Sequence, residues 1–561
     1  MTIAAPDMLS SGSGNAPVSL NRLLILGLSA VLLAYFFVHQ LACPAELAVS
    51  LAASDLVSQG QIPYIDFVDN ATPHSYYLRL MLIFLSKLVC FHPTLIANLV
   101  HVFLVAASLL LIRAMLGKGR PSRLLAPRLP FLTVALFAFV FVFLSEFGQA
   151  PQLLVSGTLP YLAARYLSAG GERVKPIVSA LAGLLQAVVL FLDQSFLLFW
   201  LLTEFVIFFA RRKSFFALEL KVCLLGVIAM FAGLTLMPEQ AVKTYFGPIL
   251  HLNQLSFEFF NDTFFYVGQT PDRRDLVYFF VVAQALTLPV VSRCLLIRLL
   301  SALSALGFGY YVSSTSLFTW QALAMVGFAA MGLALSLAYY ARRLALGRLF
   351  KGLLLFTALE KFIGNNRRQE YIAAGLGIAC FFVFYQQQPA GQWISLSPLG
   401  YWGQGLKSDL TIFAGDIEEA CPPKETVTIC GTQVRPGFPA LVQVRRGGDY
   451  LLWGFPFYVF KTMRERKLPA EVADLLAYEE QFYRRLRAAW SGPKRPKAIA
   501  VEDNEAHDAL WAHGINAIIE SDYEPGPYLS LMNGEELAGH PAFEYVGYRK
   551  SFTLYKLKAP K

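Results

Sequence analysis

The stretch CPAELAVSLAASDLVSQGQIPYIDFVDNATPHSYY, Cys43–Tyr77, lies between two strongly apolar segments near the start of the chain. It contains four carboxylates, Glu46, Asp55, Asp66 and Asp69, together with one histidine, three prolines and three tyrosines. Connections between two helices are usually short and plain. A long loop that is rich in acids and turn residues more often carries function. This stretch is therefore the first candidate for a functional site.

The composition of the whole chain predicts the class of protein. The chain has 561 residues, of which 56% are hydrophobic and 15% are charged. Apolar runs of about twenty residues recur through much of the chain, and such a run crosses a hydrocarbon core of about 30 Å as a helix. We therefore expect a polytopic α-helical membrane protein. The net charge of +9 comes largely from Lys and Arg in short loops, where these residues set topology, and does not indicate nucleic-acid binding.

The basic loops predict the path of the chain after the candidate stretch. If Tyr76–His92 and Pro93–Met115 both crossed the membrane, the basic run Lys118–Arg128 would lie on the side opposite the N-terminus. The positive-inside rule argues against that arrangement. Tyr76–His92 is therefore predicted to be an interfacial helix on the outer surface, with Arg79 and Lys87 at the lipid headgroups.

Three regions follow from the same count. Residues 1–21 are rich in Ser, Gly and Pro and are predicted to be a disordered cytoplasmic N-terminus. Residues 22–385 are predicted to form a transmembrane domain of about eleven helices, with the first outer loop at 40–92. The predicted helices include Pro93–Met115, Pro176–Leu192 and, as the eleventh, Tyr371–Tyr385. An odd number of crossings places residues 386–561 outside the cytoplasmic membrane.

The composition changes near Gln386, where Pro, Gly and charged residues become common. The remaining chain is long enough to bury a core of its own. Short apolar runs at Thr426–Ile429 and Ala517–Ile519 predict strands, and Leu468–Arg487 predicts a charged helix. We therefore expect a C-terminal soluble α/β domain.

The carboxylates of the candidate stretch allow several roles. Glu46 could interact with the positive end of the helix that it begins, and Asp55 is expected on a solvated face of that helix. Asp66 and Asp69 stand three apart in an extended segment. They could bind a divalent cation such as Mg²⁺ or Mn²⁺, act as a general base with a supporting partner, or form a simple turn.

Two motifs within the stretch resemble a known family. Ser58–Phe67, SQGQIPYIDF, and Asn70–Leu78, NATPHSYYL, are similar to the first outer loop of the GT-C glycosyltransferases. The similarity is strongest to the bacterial protein-mannosyltransferase and aminoarabinose-transferase superfamily, whose pattern resembles G-x-x-P-Y-x-D-F followed by P-x-x-Y-Y-L. The resemblance is specific over this loop and only architectural elsewhere. It implies a GT-C-like membrane domain with a surface helix after the loop.

The resemblance also implies an activity. Members transfer a sugar from a polyprenyl-phosphate donor to an envelope lipid, glycan or protein acceptor on the outer face of the membrane. A carboxylate of the first outer loop acts as the base, and basic groups, in some members with a metal ion, meet the lipid phosphate. Relatives carry an Asp-Glu pair that falls at Ala45-Glu46 here, so the aspartate is missing. Asp66 matches the second family acid, and Asp66 and Glu46 are therefore the leading catalytic candidates, ahead of Asp69.

Candidates for binding the donor phosphate must come from outer loops. His74 and Arg79 are nearest in sequence, and the outer loop 238–275 contributes Lys243, His251, Arg273 and Arg274. The arginine pair could instead anchor lipid headgroups. Asp193, at a predicted outer turn, is a further functional candidate, because a carboxylate near the membrane is unfavourable in free energy unless it is paired or solvated. The alternative is that Asp193 only forms a turn.

Other functions stay open at this point. A polysaccharide polymerase or ligase usually has a large outer loop late in the series of spans rather than an acidic first loop. A transporter or flippase usually shows internal repeats and charges deep within its spans, which this sequence lacks. The missing aspartate at position 45 is also compatible with a non-catalytic member of the family that binds lipid.

Overall fold

The computed structural model describes residues 17–38, 44–65, 67, 72–117, 119–144, 147–210, 217–249, 271–313, 319–346, 427–431, 451–453, 473–493, 495–502, 505–530 and 551–558. Helices and strands are numbered below in chain order within these residues. The helices before residue 347 are α1 (Pro17–Val38), α2 (Ala45–Ser58), α3 (Pro73–Val89), α4 (Pro93–Met115), α5 (Arg120–Leu125), α6 (Leu129–Val142), α7 (Ala150–Ala169), α8 (Pro176–Leu192), α9 (Phe196–Ala210), α10 (Leu218–Thr235), α11 (Glu239–Thr244), α12 (Pro271–Val291), α13 (Leu295–Ser313) and α14 (Leu323–Leu346).

The chain is a multi-pass helical membrane protein. By length and composition, six helical segments among the described residues could cross a membrane: Pro93–Met115, Arg120–Val142, Leu218–Thr235, Arg274–Val291, Leu295–Val312 and Leu323–Tyr340. Shorter apolar helices include Asn21–Phe37, Pro176–Leu192 and Phe196–Ala210. The predicted count of about eleven crossings is not confirmed, and the eleventh predicted helix, Tyr371–Tyr385, lies outside the described residues.

The first helix begins earlier than predicted. It starts at Pro17, inside the segment 1–21 that is predicted to be disordered, and a proline at the first helical position costs no hydrogen bond. Asn21 is buried, and Thr133 Oγ1 of α6 donates to its Oδ1 at 2.8 Å. Packing against α6 therefore extends the helix beyond the apolar run. Residues 1–16 lie outside the described part of the chain.

The bundle helices alternate in direction, so their ends form two faces. We call the face that carries residues 44–72 the loop-one face. A Cβ on Gly148, between α6 and α7, would lie 3.0 Å from Leu47 Cδ2, so this turn also belongs to the loop-one face. At the other end, the Ser122 amide donates to Glu172 at 2.7 Å. The loop-one face carries the turns 143–149, 193–195 and 236–249, and the opposite face carries 116–128, 170–175 and 292–294.

Helix α3 has two different sides. Its exposed side carries apolar residues three or four apart: Tyr77, Met81, Phe84, Leu85 and Leu88. Its buried side carries Ser75, Tyr76, Arg79, Leu82, Ile83 and Ser86. An exposed apolar stripe is compatible with a helix that lies along a membrane surface, and this position stays a prediction. The predicted headgroup position of Arg79 is wrong, because this residue is only 7% exposed and lies on the buried side.

Helix α7 is buried along nearly its whole length, and it carries a charge that the sequence analysis missed. Arg165 Nε donates to Glu204 Oε1 at 2.9 Å, and its Nη1 lies 3.6 Å from Glu219 Oε1. Tyr161 donates to the same Glu204 oxygen at 2.6 Å. A buried charge is strongly unfavourable unless it is paired. This cluster lies near the opposite face and connects α7 to α9 and α10.

The C-terminal residues form the α/β domain that the sequence predicts. Its described elements are β1 (Val427–Gly431), β2 (Leu451–Trp453), α15 (Ala473–Ser491), β3 (Ala498–Glu502), α16 (Glu505–Ala512), α17 (Asn516–Asp522), β4 (Tyr523–Ser530) and β5 (Ser551–Leu557). The sheet order is β2-β1-β3-β5-β4. Strand β1 is parallel to β2 and β3, whereas β5 is antiparallel to β3 and β4.

Two of the three predicted elements of this domain are confirmed. Strand β1 covers most of Thr426–Ile429, and α15 overlaps Leu468–Arg487. The strand predicted at Ala517–Ile519 is wrong, because these residues belong to α17. Gly514 adopts a left-handed φ of 70° between α16 and α17. Ile515 and Ile519, four residues apart, are then both buried, which is helical spacing.

Candidate functional site

Helix α2 positions the first candidate, Glu46. The preceding Pro44 is extended, with φ −67° and ψ 151°, and Glu46 is the second residue of the helix. An acid in the first turn can interact favourably with the positive helix end, and this role of Glu46 stays a prediction. Its side chain lies outside the described part of the structure. The neighbouring Leu47 is buried next to Gly148, so the helix begins inside the loop-one face.

Asp55 is predicted on a solvated face, and this prediction is wrong. The residue is 8% exposed. Ser58 Oγ donates to its carboxylate at 3.1 Å and Gln59 Nε2 at 2.9 Å, while Lys87 Nζ lies 2.9 Å away. Because Lys87 comes from α3, this ion pair joins α2 to α3 and fixes the two helices that flank the candidate loop.

The segment around Asp66 is a tight loop. Pro63 and Phe67 form an isolated bridge, and the Ile65 amide donates to Ile62 O at 3.2 Å. Tyr64 has a left-handed φ of 65°, a conformation that is uncommon for a residue other than glycine and that often occurs at functional sites. Asp66 and Asp69 themselves lie outside the described residues, so their catalytic role stays a prediction.

Aromatic rings hold this loop against two other turns of the loop-one face. The ring centroid of Tyr64 lies 5.1 Å from that of Tyr245, which follows α10, and 6.2 Å from that of Tyr76. The Phe67 ring meets Tyr76 edge-on at 5.8 Å. Gln194 Nε2, between α8 and α9, donates to the Tyr245 hydroxyl at 3.0 Å. Three turns that are distant in sequence therefore converge, and such ring pairs stabilise the convergence.

The C-terminal domain also reaches the first loop. Tyr478 and Phe482 of α15 belong to the same buried cluster as Tyr64 and Phe67. Arg485 Nη1 of α15 donates to the Ile65 carbonyl at 2.8 Å. The α/β domain therefore lies on the loop-one face and contacts the residue directly before Asp66.

The turn at Asp193 confirms the simpler of its two predicted roles. Asp193 Oδ1 accepts hydrogen bonds of 2.8 Å from both the amide and the hydroxyl of Ser195, an arrangement typical of a helix start. Burial raises the pKa of the Asp193 carboxyl, while the bonds from Ser195 and the charge of Arg79 act in the opposite direction. Asp193 and Arg79 therefore share one polar region beneath the first loop.

His101 belongs to the same region, and the sequence analysis missed it. It is buried in α4 within electrostatic range of Arg79, and its Nδ1 has no hydrogen-bond partner among the described residues. Gly148, with a left-handed φ of 87°, approaches it so closely that a Cβ there would lie 2.2 Å from Nδ1. A histidine within an otherwise apolar span is the signal that could have found it.

His74 lies in a different setting from the one predicted. Its Nε2 lies 2.8 Å from Met230 O of α10, and its ring meets Phe191 edge-on at 5.6 Å. Burial lowers the pKa of His74, which favours the neutral ring. A neutral ring that already donates to a carbonyl offers a phosphate no positive charge. Among the predicted phosphate ligands whose side chains are described, Arg79 is the buried cation.

The other predicted phosphate ligands are surface residues or lie outside the described part. Lys243 is exposed and pairs with Glu239, one helical turn away, at 2.6 Å. Arg274 is exposed, 3.9 Å from Asp275, and its guanidinium carbon lies 6.0 Å from the centre of the Tyr278 ring. His251 and the side chain of Arg273 are outside the described residues. Anchoring to headgroups, the alternative role, suits the surroundings of Arg274.

A metal site is not supported within the described residues. They contain no group of three His, Cys, Asp or Glu side chains that could hold an ion. The two carboxylates predicted to bind a divalent cation, Asp66 and Asp69, lie outside that set. A divalent cation at these two carboxylates therefore stays a prediction.

The fold defines the class as a multi-pass helical membrane protein with an α/β domain on its loop-one face. No protein-family model matches the chain, and no curated protein matches its sequence. The resemblance to GT-C glycosyltransferases depends on the first-loop motifs alone and stays a prediction.

Proposed function

We propose that this chain is a GT-C-type membrane glycosyltransferase that transfers a sugar from a polyprenyl-phosphate donor to an envelope lipid, glycan or protein. The observation that carries the proposal is the convergence on the candidate loop. Tyr245 and helix α15 contact it, and the turn of Gln194 is joined to it through Tyr245. Buried Arg79 lies on the inner side of the helix that follows the loop. A membrane-lipid substrate requires a reaction site at the membrane surface, where this loop is expected.

The proposed roles follow from the chemistry of sugar transfer. Asp66 or Glu46 takes the proton from an acceptor hydroxyl, whose oxygen attacks the anomeric carbon as the bond to the lipid phosphate breaks. The departing phosphate gains negative charge. Arg79 is held in a poorly solvated region, where a fixed cation stabilises such charge more strongly than in water. Asp193 and His101 both lie within electrostatic range of the Arg79 charge.

The eleven-crossing topology is part of the proposal, and the position of the C-terminal domain supports it. Helix α14 ends at the opposite face, because Tyr340 OH donates to Leu286 O and Arg293 Nη1 donates to Tyr339 OH at that end. Helix α15 lies on the loop-one face. The proposed topology has one crossing between these two positions, the predicted span Tyr371–Tyr385, which lies outside the described residues.

The orientation is proposed from the distribution of charge. The opposite face carries most of the basic turns, including Arg120, Arg123, Arg173 and Lys175. By the positive-inside rule this face is cytoplasmic. The loop-one face and the α/β domain then lie outside the bacterial cytoplasmic membrane, where polyprenyl-linked sugars meet envelope acceptors.

Substitution of the two candidate bases tests the activity. In liposomes that contain a polyprenyl-phosphate sugar, we expect Asp66→Asn or Glu46→Gln to lower the initial rate of sugar transfer about 100-fold or more, the usual effect of losing a general base. The measurement is radiolabelled sugar released from the lipid donor. Wild-type rates in both variants would remove the first loop as the active site.

A matched control separates this effect from a general loss of acidic charge. Glu239 is a carboxylate on the loop-one face whose side chain is 81% exposed. Glu239→Gln should therefore keep the wild-type transfer rate. Wild-type protein that binds the lipid donor but transfers no sugar would favour the non-catalytic alternative.

A further inference from the structure

Helix α15 of the α/β domain contacts the first loop at one defined point. Arg485 Nη1 donates to the Ile65 carbonyl at 2.8 Å, across 420 residues of sequence. Arg485 is partly buried, whereas its neighbour Arg484 is exposed and pairs with Glu480 of the same helix at 3.1 Å. Two adjacent arginines therefore have different tasks, and only Arg485 faces the membrane domain.

The residues on both sides of Asp66 are fixed in different ways. On one side, the Ile65 carbonyl accepts from Arg485. On the other, Phe67 is fully buried and belongs to a cluster that includes Phe482 of α15. The same helix thus donates a hydrogen bond to the backbone before Asp66 and shares one buried cluster with the side chain after it.

We propose that Arg485 is a positioning residue for the first loop, so that the α/β domain completes the reaction site instead of merely covering it. The inference rests on the proposed function in taking Asp66 as a candidate base. The holding of the loop by α15, in contrast, is a physical claim that can be measured without any sugar transfer. Loss of this contact frees the Pro63–Phe67 loop, and an error of about 1 Å in the position of a catalytic group can lower a rate about 100-fold.

The chemistry of arginine suits this task. A guanidinium is planar and always charged, and it presents several donors in a fixed fork, so it binds a carbonyl with a defined direction. Lysine offers the same charge on a flexible stem. We therefore expect Arg485→Lys to hold the loop partly and Arg485→Ala not at all.

Hydrogen–deuterium exchange of the full-length protein in liposomes tests the holding directly. The probes are the amides of Gln61 and Ile65, which donate to Leu56 and Ile62. In Arg485→Ala we expect these amides to exchange about tenfold faster, the effect of losing one charge-assisted hydrogen bond. Arg484→Ala is the matched control and should leave them unchanged.

Protection of the sheet shows whether the variant remains folded. Amides of β3 and β5 should exchange at wild-type rates in both variants. If the sheet amides lose protection in Arg485→Ala, the same measurement is made on Arg485→Gln, which keeps a polar side chain on the helix. Unchanged exchange of the loop amides in a folded Arg485 variant would overturn the proposal.

The kinetic arm distinguishes this proposal from the proposed function. With a working transfer assay, Arg485→Ala should lower kcat about 100-fold while KM for the lipid donor changes less than about threefold, with partial recovery in Arg485→Lys. If the loop amides exchange faster in Arg485→Ala but the wild-type protein transfers no sugar, the contact of α15 with the loop is supported and the glycosyltransferase function is rejected. A large rise in KM with an unchanged kcat would instead reject the positioning role.

Discussion

Asp55 and Glu239 are two carboxylates that each pair with a lysine, yet their surroundings differ. Asp55 is buried and receives hydrogen bonds from Ser58 and Gln59 as well as the charge of Lys87. Glu239 is exposed and pairs only with Lys243, one turn away on the same short helix. An exposed pair of this kind contributes little stability, whereas a buried carboxylate with several donors contributes more.

This contrast predicts different costs for the same substitution. We expect Asp55→Ala to lower the free energy of unfolding by about 1 kcal/mol, because Ser58, Gln59 and Lys87 lose a charged acceptor while the exposed Gln59 and Lys87 can bond to water instead. The measurement is denaturant unfolding in detergent micelles. Glu239→Ala serves as the control and should leave the midpoint unchanged. Equal midpoints for the two variants would show that the Asp55 network does not stabilise the packing of α2 on α3.

At the scale of elements, α3 shows how an apolar helix can be mistaken for a span. Its length and composition alone do not exclude a crossing, but its exposed residues form an apolar stripe, whereas its buried side carries the polar residues Ser75, Arg79 and Ser86 among apolar ones. Ser86 lies on the inner side and donates to Phe91 O. Met81 lies on the stripe and is 62% exposed. The two sides therefore predict different environments for probes at these positions.

A fluorescent label tests the membrane position of α3. On a background without native cysteines, a label on Met81→Cys in liposomes should be quenched by lipids that carry a spin label on the acyl chain, because the stripe faces the membrane. A label on Ala488→Cys, exposed on α15, should not be quenched. Equal fluorescence of the Met81 label with and without the quencher lipid would contradict the surface-helix assignment.

At the scale of the whole molecule, the two faces differ in charge and in what they carry. The loop-one face carries the candidate loop and the α/β domain, and the opposite face carries most of the basic turns. Ala126 on the opposite face and Ala488 on α15 are both exposed. They form a matched pair of positions for measuring the orientation.

A membrane-impermeant thiol reagent should distinguish the two positions in cells whose outer membrane is permeabilised while the cytoplasmic membrane stays intact. We expect Ala488→Cys to react under these conditions and Ala126→Cys to react only after the cytoplasmic membrane is also permeabilised, because the basic face is predicted to be cytoplasmic. The native cysteines, including the exposed Cys90, are replaced beforehand. The reverse pattern of labelling would overturn the orientation.

Much of the architecture follows from the sequence alone. Apolar runs and their prolines predict helices such as Pro93–Met115 and Pro176–Leu192 with the bounds that the structure has, because helix formation depends on local spacing and local breakers. The same local patterns predict α2, the two-sided α3 and the α/β composition of the C-terminal region. They fail at Ala517–Ile519, where a three-residue apolar run has too little length to distinguish a strand from a helix.

The candidate site depends on contacts that only the tertiary structure decides. Asp55 is buried because α3 packs beside it, and Arg79 lies on the buried side of α3, within electrostatic range of Asp193 and His101. The Ile65 carbonyl meets Arg485 from the far end of the chain. Local spacing carries no information about such partners, because their energies arise from burial and charge between segments that are adjacent only after folding.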